Sequence, residues 1–181
     1  VCRAPFTKQQ PLQSVCGFDC AKIKGAQDTV KKAAKEATRI RVEHRKAKEK
    51  AKSRKQIEGE AKTAMQLYTR MRDYKDGCIS CDKPPTWDGQ WHGSHFRQAG
   101  NVSATRFNLW NINKSCSQCN RYHGGNPIPY RIALIEKIGL EKVELLESQN
   151  QVVKYDIEYL RRIKKIFNKK ARMVKKRLAI D

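Results

Sequence analysis

Small apolar residues recur every third or fourth position at Ile23, Ala26, Val30, Ala33, Ala37, Ile40, Ala47 and Ala51. The stretch from Ala21 to Arg72 has no proline and only two glycines. That period predicts one long helix over 21–72. Its seam is mostly alanine and His44 interrupts it, so the helix buries little area and makes no strong coiled coil without a partner. The last segment, 152–181, places Val153, Ile157, Leu160, Ile163, Phe167, Ala171, Val174 and Leu178 on one helical face and lysine and arginine on the rest. Such a face needs a cover, either the long helix or a second subunit. Between these helices the pattern changes. Trp87 to Phe96 alternates bulky and small residues around Gly89 and Gly93, which predicts a strand pair. Asn120 to Gly125 begins a short helix, and helices over 129–137 and 141–147 are separated by Gly139.

Turn signals at Asp76-Gly77 and Lys83-Pro84-Pro85 bracket Cys78 and Cys81, and a second CxxC, Cys116 and Cys119, follows. A CxxC turn places two soft thiolates on one ion, so the two pairs together predict a closed, tetrahedral structural zinc site. Trp87, Trp91, Phe96, Phe107 and Trp110 are expected to form a small core around it. Near the start, Cys2, Cys16 and Cys20 predict a second zinc site whose fourth ligand is a cysteine upstream of Val1, a histidine or water. Seven cysteines, an odd number mostly in CxxC pairs, argue for metal binding in a reducing cytoplasm and against a secreted disulfide framework.

Charge sharpens this division. Residues 21–72 carry 17 Lys/Arg against 6 Asp/Glu, residues 152–181 carry 11 against 3, and residues 73–151 carry 9 against 8. Basic blocks flanking a near-neutral centre attract polyanions, and nucleic acid is the leading partner. Neither a run of about 18 apolar residues nor an apolar signal-peptide core is present, so no membrane role is expected. The chain therefore reads as α+β in four segments: an N-terminal cysteine cluster at 1–20, a long basic helix at 21–72, a zinc-stabilised centre at 73–151 and a basic amphipathic helix at 152–181.

The 34 residues between the two CxxC pairs include GQWHGSHF and NLWNINKS, the latter running directly into Cys116. His92, His95, Asn111, Asn120 and His123 can converge there, a composition suited to a hard-metal phosphodiesterase site rather than to a plain zinc finger. A CxxC, a strand ending in GSHF, an asparagine five residues before the second CxxC and another directly after it resemble the ββα-metal (HNH) endonuclease motif in its His-Asn-Asn form. CISC, QWHGSHFR, RFNLWNINKSCSQCN and GGNPIPYRIALIEKIG, preceded by a cysteine cluster and a long basic helix, resemble more narrowly the NinG (Rap) recombination nucleases of lambdoid phages.

The resemblance implies a small zinc-bound HNH-like centre with long basic helical arms on both sides. It implies His95 as general base, Asn111 as the residue that holds the loop and orients that base, and Asn120 as a ligand to a catalytic Mg²⁺ or Mn²⁺. His92 and His123 are further candidates for that ion, each weighed against a surface role. Ser94 stands where many HNH enzymes carry aspartate and is a poorer metal ligand. Arg97, Arg106 and Arg121 are candidate phosphate clamps. The expected function is hydrolysis of phosphodiester bonds in branched recombination intermediates such as D-loops and Holliday junctions. It would take place in the cytoplasm, that of the bacterial host for a phage-encoded protein, and paired cuts across a junction favour a homodimer. The alternative is a non-catalytic zinc-binding DNA- or RNA-binding module.

Overall fold

A computed structural model of the chain describes residues 1–2, 5–98, 100 and 102–179. The chain divides into two compact units, Val1–Lys52 and Ser53–Asp181. The first consists of the cysteine-bearing N-terminal segment and helix α1, Phe18–Lys50, none of whose residues is buried. An alanine seam offers too little apolar surface to demand more. Asp19 in its first turn and Lys48 and Lys50 in its last oppose the charges of the helix dipole.

The second unit opens with α2, Arg54–Arg72, so the single helix expected over 21–72 is two helices. Ser53 is responsible: its Oγ accepts from the Gln56 amide at 3.3 Å, while Gln56 Oε1 accepts from the Ser53 amide at 2.8 Å. This reciprocal capping box starts a new helix without proline or glycine. Strand β1, Trp91–His95, pairs antiparallel with β2, Ile112–Cys116, in the register Trp91 to Cys116, Gly93 to Lys114 and His95 to Ile112. The strand expected within 87–96 thus finds its partner across a long loop instead of inside that stretch. Helices α3 (Ser117–Tyr122), α4 (Pro127–Ile138), α5 (Leu140–Ser148) and α6 (Ile157–Leu178) follow.

Two hydrophobic clusters hold this unit. In the larger, Ile57, Ala61, Ala64 and Met65 of α2 meet Leu160, Ile163 and Phe167 of α6, with Phe107 and Ile112 completing it. The apolar face of α6 is therefore covered by α2, and the C-terminal segment is a core helix with a basic outer side rather than a free arm. The smaller cluster joins Tyr130 and Leu134 of α4 to Val143 and Leu146 of α5, with Ile79 and Phe96 against it. The expected aromatic core around the zinc site is dispersed: Phe107 lies in the α2–α6 cluster, Trp87 and Trp91 pack edge to face at 5.2 Å, and Trp110 remains 39% exposed. Aliphatic residues of the two long helices supply the buried area instead.

Gly93 lets α2 lie close on the sheet. A Cβ there would stand 3.2 Å from Gln66 Cα and from Ile112 Cδ1. Beside it, the buried carboxylate of Asp73 receives two 2.7 Å hydrogen bonds from Arg72, one of 3.1 Å from the Lys114 amide, and Lys137 Nζ at 3.2 Å. This node fixes the end of α2 to β2 and α4.

Candidate metal centre and cleft

The first knuckle lies in a loop and the second at the junction of β2 with α3, and together they bring Cys78, Cys81, Cys116 and Cys119 within 4.8 Å of one another at sulfur. A tetrahedral zinc with Zn–S bonds of about 2.3 Å sets its sulfurs about 3.8 Å apart, and Cys81 Sγ lies 3.8 Å from Cys116 Sγ. The Cys116 and Ser80 amides point to Cys78 Sγ at 3.2 and 3.5 Å, and the Cys119 amide to Cys116 Sγ at 3.4 Å. Burial opposes a charge on Cys78, but the Cys116 amide, the Ser115 hydroxyl and the Ser80 amide outweigh it and bring the thiol down to about 7. These sulfurs fit a structural zinc ion. Asn126 Nδ2 adds a 2.8 Å bond to the Ser80 carbonyl, from a turn in which Gly124, Gly125 and Asn126 all take positive φ.

In the first unit, Cys2, Cys16 and Cys20 form a second sulfur cluster, with Cys16 Sγ 3.0 Å from Cys2 Sγ and 3.4 Å from Cys20 Sγ. Three thiols at these separations can hold a metal such as zinc. Among the described residues no fourth cysteine, histidine or carboxylate joins them.

His95 ends β1 and is half-buried. Because a carbonyl can only accept, its Nε2 carries the proton and donates to the Arg106 carbonyl at 2.9 Å. Nδ1 is left as the basic nitrogen. Burial lowers the His95 pKa, the Arg106 carbonyl opposes that, and the charge of Lys62 lowers it further. The ring is thus held neutral near pH 7. Asn111, fully buried, holds the loop behind it. Its Oδ1 accepts from the Arg97 amide at 2.7 Å, and its Nδ2 donates to the Arg97 carbonyl, the Thr105 carbonyl and Thr105 Oγ1 at 3.0, 3.1 and 3.1 Å. One amide side chain thereby ties both arms of the β1–β2 connection.

His95 and Asn120 line the same cleft of about 260 Å³, together with Lys62, Ser94, Gln98 and the glycines Gly124 and Gly125. Asn120 Nδ2 donates to His92 Nδ1 at 2.8 Å, and His92 Nε2 in turn lies 3.2 Å from Gln90 Oε1. Both nitrogens of His92 are therefore engaged, whereas Asn120 keeps Oδ1 available as a ligand oxygen. Burial, Arg121 and Arg70 all lower the His92 pKa.

The remaining expected residues are distributed differently. His123 is exposed at the end of α3 and does not line the cleft. Arg97 donates to the Gln149 carbonyl and to Asn150 Oδ1, and Arg106 pairs with Glu58. Those two arginines brace the fold, while Arg121 lies exposed on α3. Lys62 enters the cleft from α2 unannounced by any motif. Only the packing of Ile57, Ala61, Ala64 and Met65 inward turns it toward His95.

An antiparallel pair of strands, a following helix, four thiols across the helix junction that can hold a metal, and a histidine-asparagine cleft define an α+β protein with a candidate metal centre. The family described as Bacteriophage Lambda NinG protein matches residues 1–177, and the chain belongs to it. Protein ninG of Escherichia phage lambda is 36% identical over 111 residues, 61% of this chain and 53% of the relative. Protein ninG of Salmonella phage P22 is 34% identical over 111 residues, 61% of this chain and 54% of the relative. The chain spans about half the length of these relatives in the matched region. No solved structure matches it. Among the described residues no helix is long and apolar enough to cross a membrane.

Proposed function

We propose that this protein is a divalent-metal-dependent DNA endonuclease of the HNH type that acts on branched recombination intermediates. The observation that carries the reading is the shared cleft of His95 and Asn120, with His95 held in the tautomer that presents a basic Nδ1. In the reaction, His95 Nδ1 takes a proton from water as the water oxygen attacks phosphorus, and the bond from phosphorus to the 3′ oxygen breaks. Asn111 keeps the loop carrying the Arg106 carbonyl in place, so the tautomer persists through turnover. Asn120 Oδ1 would hold a Mg²⁺ or Mn²⁺ ion, which when bound supplies charge stabilisation at the phosphate and the leaving oxygen. A single protein oxygen is compatible with such an ion, because Mg²⁺ keeps several waters and takes further ligands from phosphate. Lys62, in the same cleft, adds a cation for the scissile phosphate. The formal charge of +21 supplies attraction to DNA.

The second reading, a non-catalytic zinc-binding DNA or RNA module, is favoured by one observation: among the described residues the cleft lining includes no carboxylate. Nicking assays on labelled four-way junction, D-loop and duplex DNA with and without Mg²⁺ separate the two. His95→Ala is expected to retain fold, zinc and DNA affinity while cleavage falls by about 10²-fold or more. Cleavage by His95→Ala equal to that of the parent rejects the nuclease reading at this site.

A further inference from the structure

A second cleft, of about 410 Å³, lies where the end of α2, strand β1 and α6 meet. We propose that it binds an unpaired nucleotide of DNA, and its position along the substrate strand rests on the nuclease reading above. Its walls include Arg70, Met71, Tyr74, Gln90, Trp91 and Lys175, and among the described residues no acidic side chain lines it. Tyr74 is 47% exposed and offers a ring against which a base can stack. Arg70 and Lys175 supply positive charge from two different helices. The buried Arg70 Nε has no acceptor among the described residues, and its Nη1 makes only a long, 3.4 Å contact to the Trp91 carbonyl.

Lys114 serves the floor rather than the ligand. Its Nζ donates to the Tyr74 and Asp76 carbonyls at 3.1 and 2.6 Å and lies 4.2 Å from the centre of the Trp91 ring. Trp91 and the Tyr74 backbone are thus fixed before any ligand arrives, which lowers the ordering cost of binding. A surface for duplex backbone alone would need cations but no apolar floor. Bases within a duplex are stacked on one another and cannot enter such a cleft, so the fitting occupant is an unpaired nucleotide.

The cleft and the proposed active site lie along the same two elements, α2 and β1. Helix α2 runs antiparallel to β1, with Arg70 beside Trp91, Gln66 over Gly93 and Lys62 sharing the cleft of His95. Eight helical residues from Lys62 to Arg70 span about 12 Å, and four strand residues from Trp91 to His95 about 13 Å. A stacked DNA strand advances about 3.4 Å per nucleotide. The unpaired base therefore sits within about four nucleotides of the scissile phosphate, which matches a strand leaving a branch point.

The test uses the full chain in buffer without Mg²⁺, with a blunt duplex and the same duplex carrying a single-stranded extension labelled with 2-aminopurine. The parent is expected to bind the extended DNA more tightly and to quench the label at one extension position. Tyr74→Ala should remove the quench and lose about five-fold or more in affinity for the extended DNA, the lower end for one stacked base. Tyr74→Phe should keep both, Lys175→Ala should weaken extended DNA alone, and blunt-duplex affinity should not change. Unaltered binding by both alanine variants overturns the proposal. So does an equal loss for blunt and extended DNA, or tighter binding of an RNA extension than of its DNA counterpart. His95→Ala leaves this cleft intact and must keep the preference for extended DNA. Unimpaired cutting by His95→Ala sinks the nuclease reading alone, whereas absence of the preference from both proteins sinks the cleft alone.

Discussion

The amide of Asn120 donates to Nδ1 of His92 across 2.8 Å, and with Gln90 at the other ring nitrogen the imidazole has no lone pair to offer an ion. On the nuclease reading, His92 is thereby a positioning residue for Asn120. Removing it should raise the divalent-ion concentration needed for half-maximal cleavage by about ten-fold or more, the usual cost of losing a partner of a metal ligand. Saturating Mg²⁺ should then restore the rate. A Mg²⁺ titration of His92→Ala decides the matter, since an unchanged requirement would leave His92 without this role.

Burial is the main cause of the lowered His95 pKa, and Lys62 reinforces it. On the nuclease reading the neutral form does the chemistry, so the acid limb of a single-turnover pH profile should lie below the ordinary histidine value of 6.5. Lys62→Gln removes a charge that disfavours the imidazolium and should move that limb upward. A limb at or above the ordinary value in the parent contradicts the assignment of His95 as the titrating base.

If Cys78, Cys81, Cys116 and Cys119 hold a zinc ion, chelation should unfold the centre, because a closed thiolate site contributes folding free energy directly. Cys116 is fully buried at the start of α3, and its sulfur accepts the Cys119 amide. Cys116→Ser should therefore lose the bound ion, measured by native mass spectrometry, along with the cooperative thermal transition.

Asp73 is 3% exposed and holds together Arg72, Lys137 and the Lys114 amide. Asp73→Asn leaves Arg72 without its counter-charge and should cost about 3–5 kcal/mol in urea unfolding. Burial works to raise its pKa, but Arg72 and then Lys137 prevail and hold it below the ordinary carboxylate value of 3.8. A carboxylate with a depressed folded pKa stabilises fully above its unfolded value and loses that contribution as pH falls through the folded one. Parent stability should accordingly decline on acidification below about pH 4, and the Asn variant should show a shallower decline.

Removal of residues 152–181 should abolish folding rather than merely weaken DNA binding, because Leu160, Ile163 and Phe167 belong to the main cluster. Phe167→Ala alone should cost about 3–5 kcal/mol. Replacing lysines between Lys31 and Lys50 by glutamine should leave the thermal transition in place and make the salt dependence of DNA binding shallower. An unaltered slope would mean that α1 is simply solvated.

The spacing of four cysteines made the knuckles legible, because a chelate imposes its geometry on the chain whatever surrounds it. The apolar periods of 129–137 and 141–147 likewise found their helices in α4 and α5. The break at Ser53 was hidden because a capping box is written in polar residues, and those occur throughout a lysine-rich run. Packing of α6 on α2 was open to two readings because an amphipathic face states that it must be covered but not by what. Lys62 and the Asp73 node were out of reach for the same reason: each depends on side chains from elements far apart in the chain.

Helix α1 buries none of its 33 residues, which at about 1.5 Å per residue is a rod about 50 Å long. Nothing in a hydrophobic core constrains which residues its outer positions carry. On the proposed reading, dwell time on DNA can be adjusted there one lysine at a time, while turnover depends on His95 and Asn120 in the other unit. Evolution can then lengthen or shorten residence on DNA in small steps without disturbing the chemistry, and an engineer could do the same.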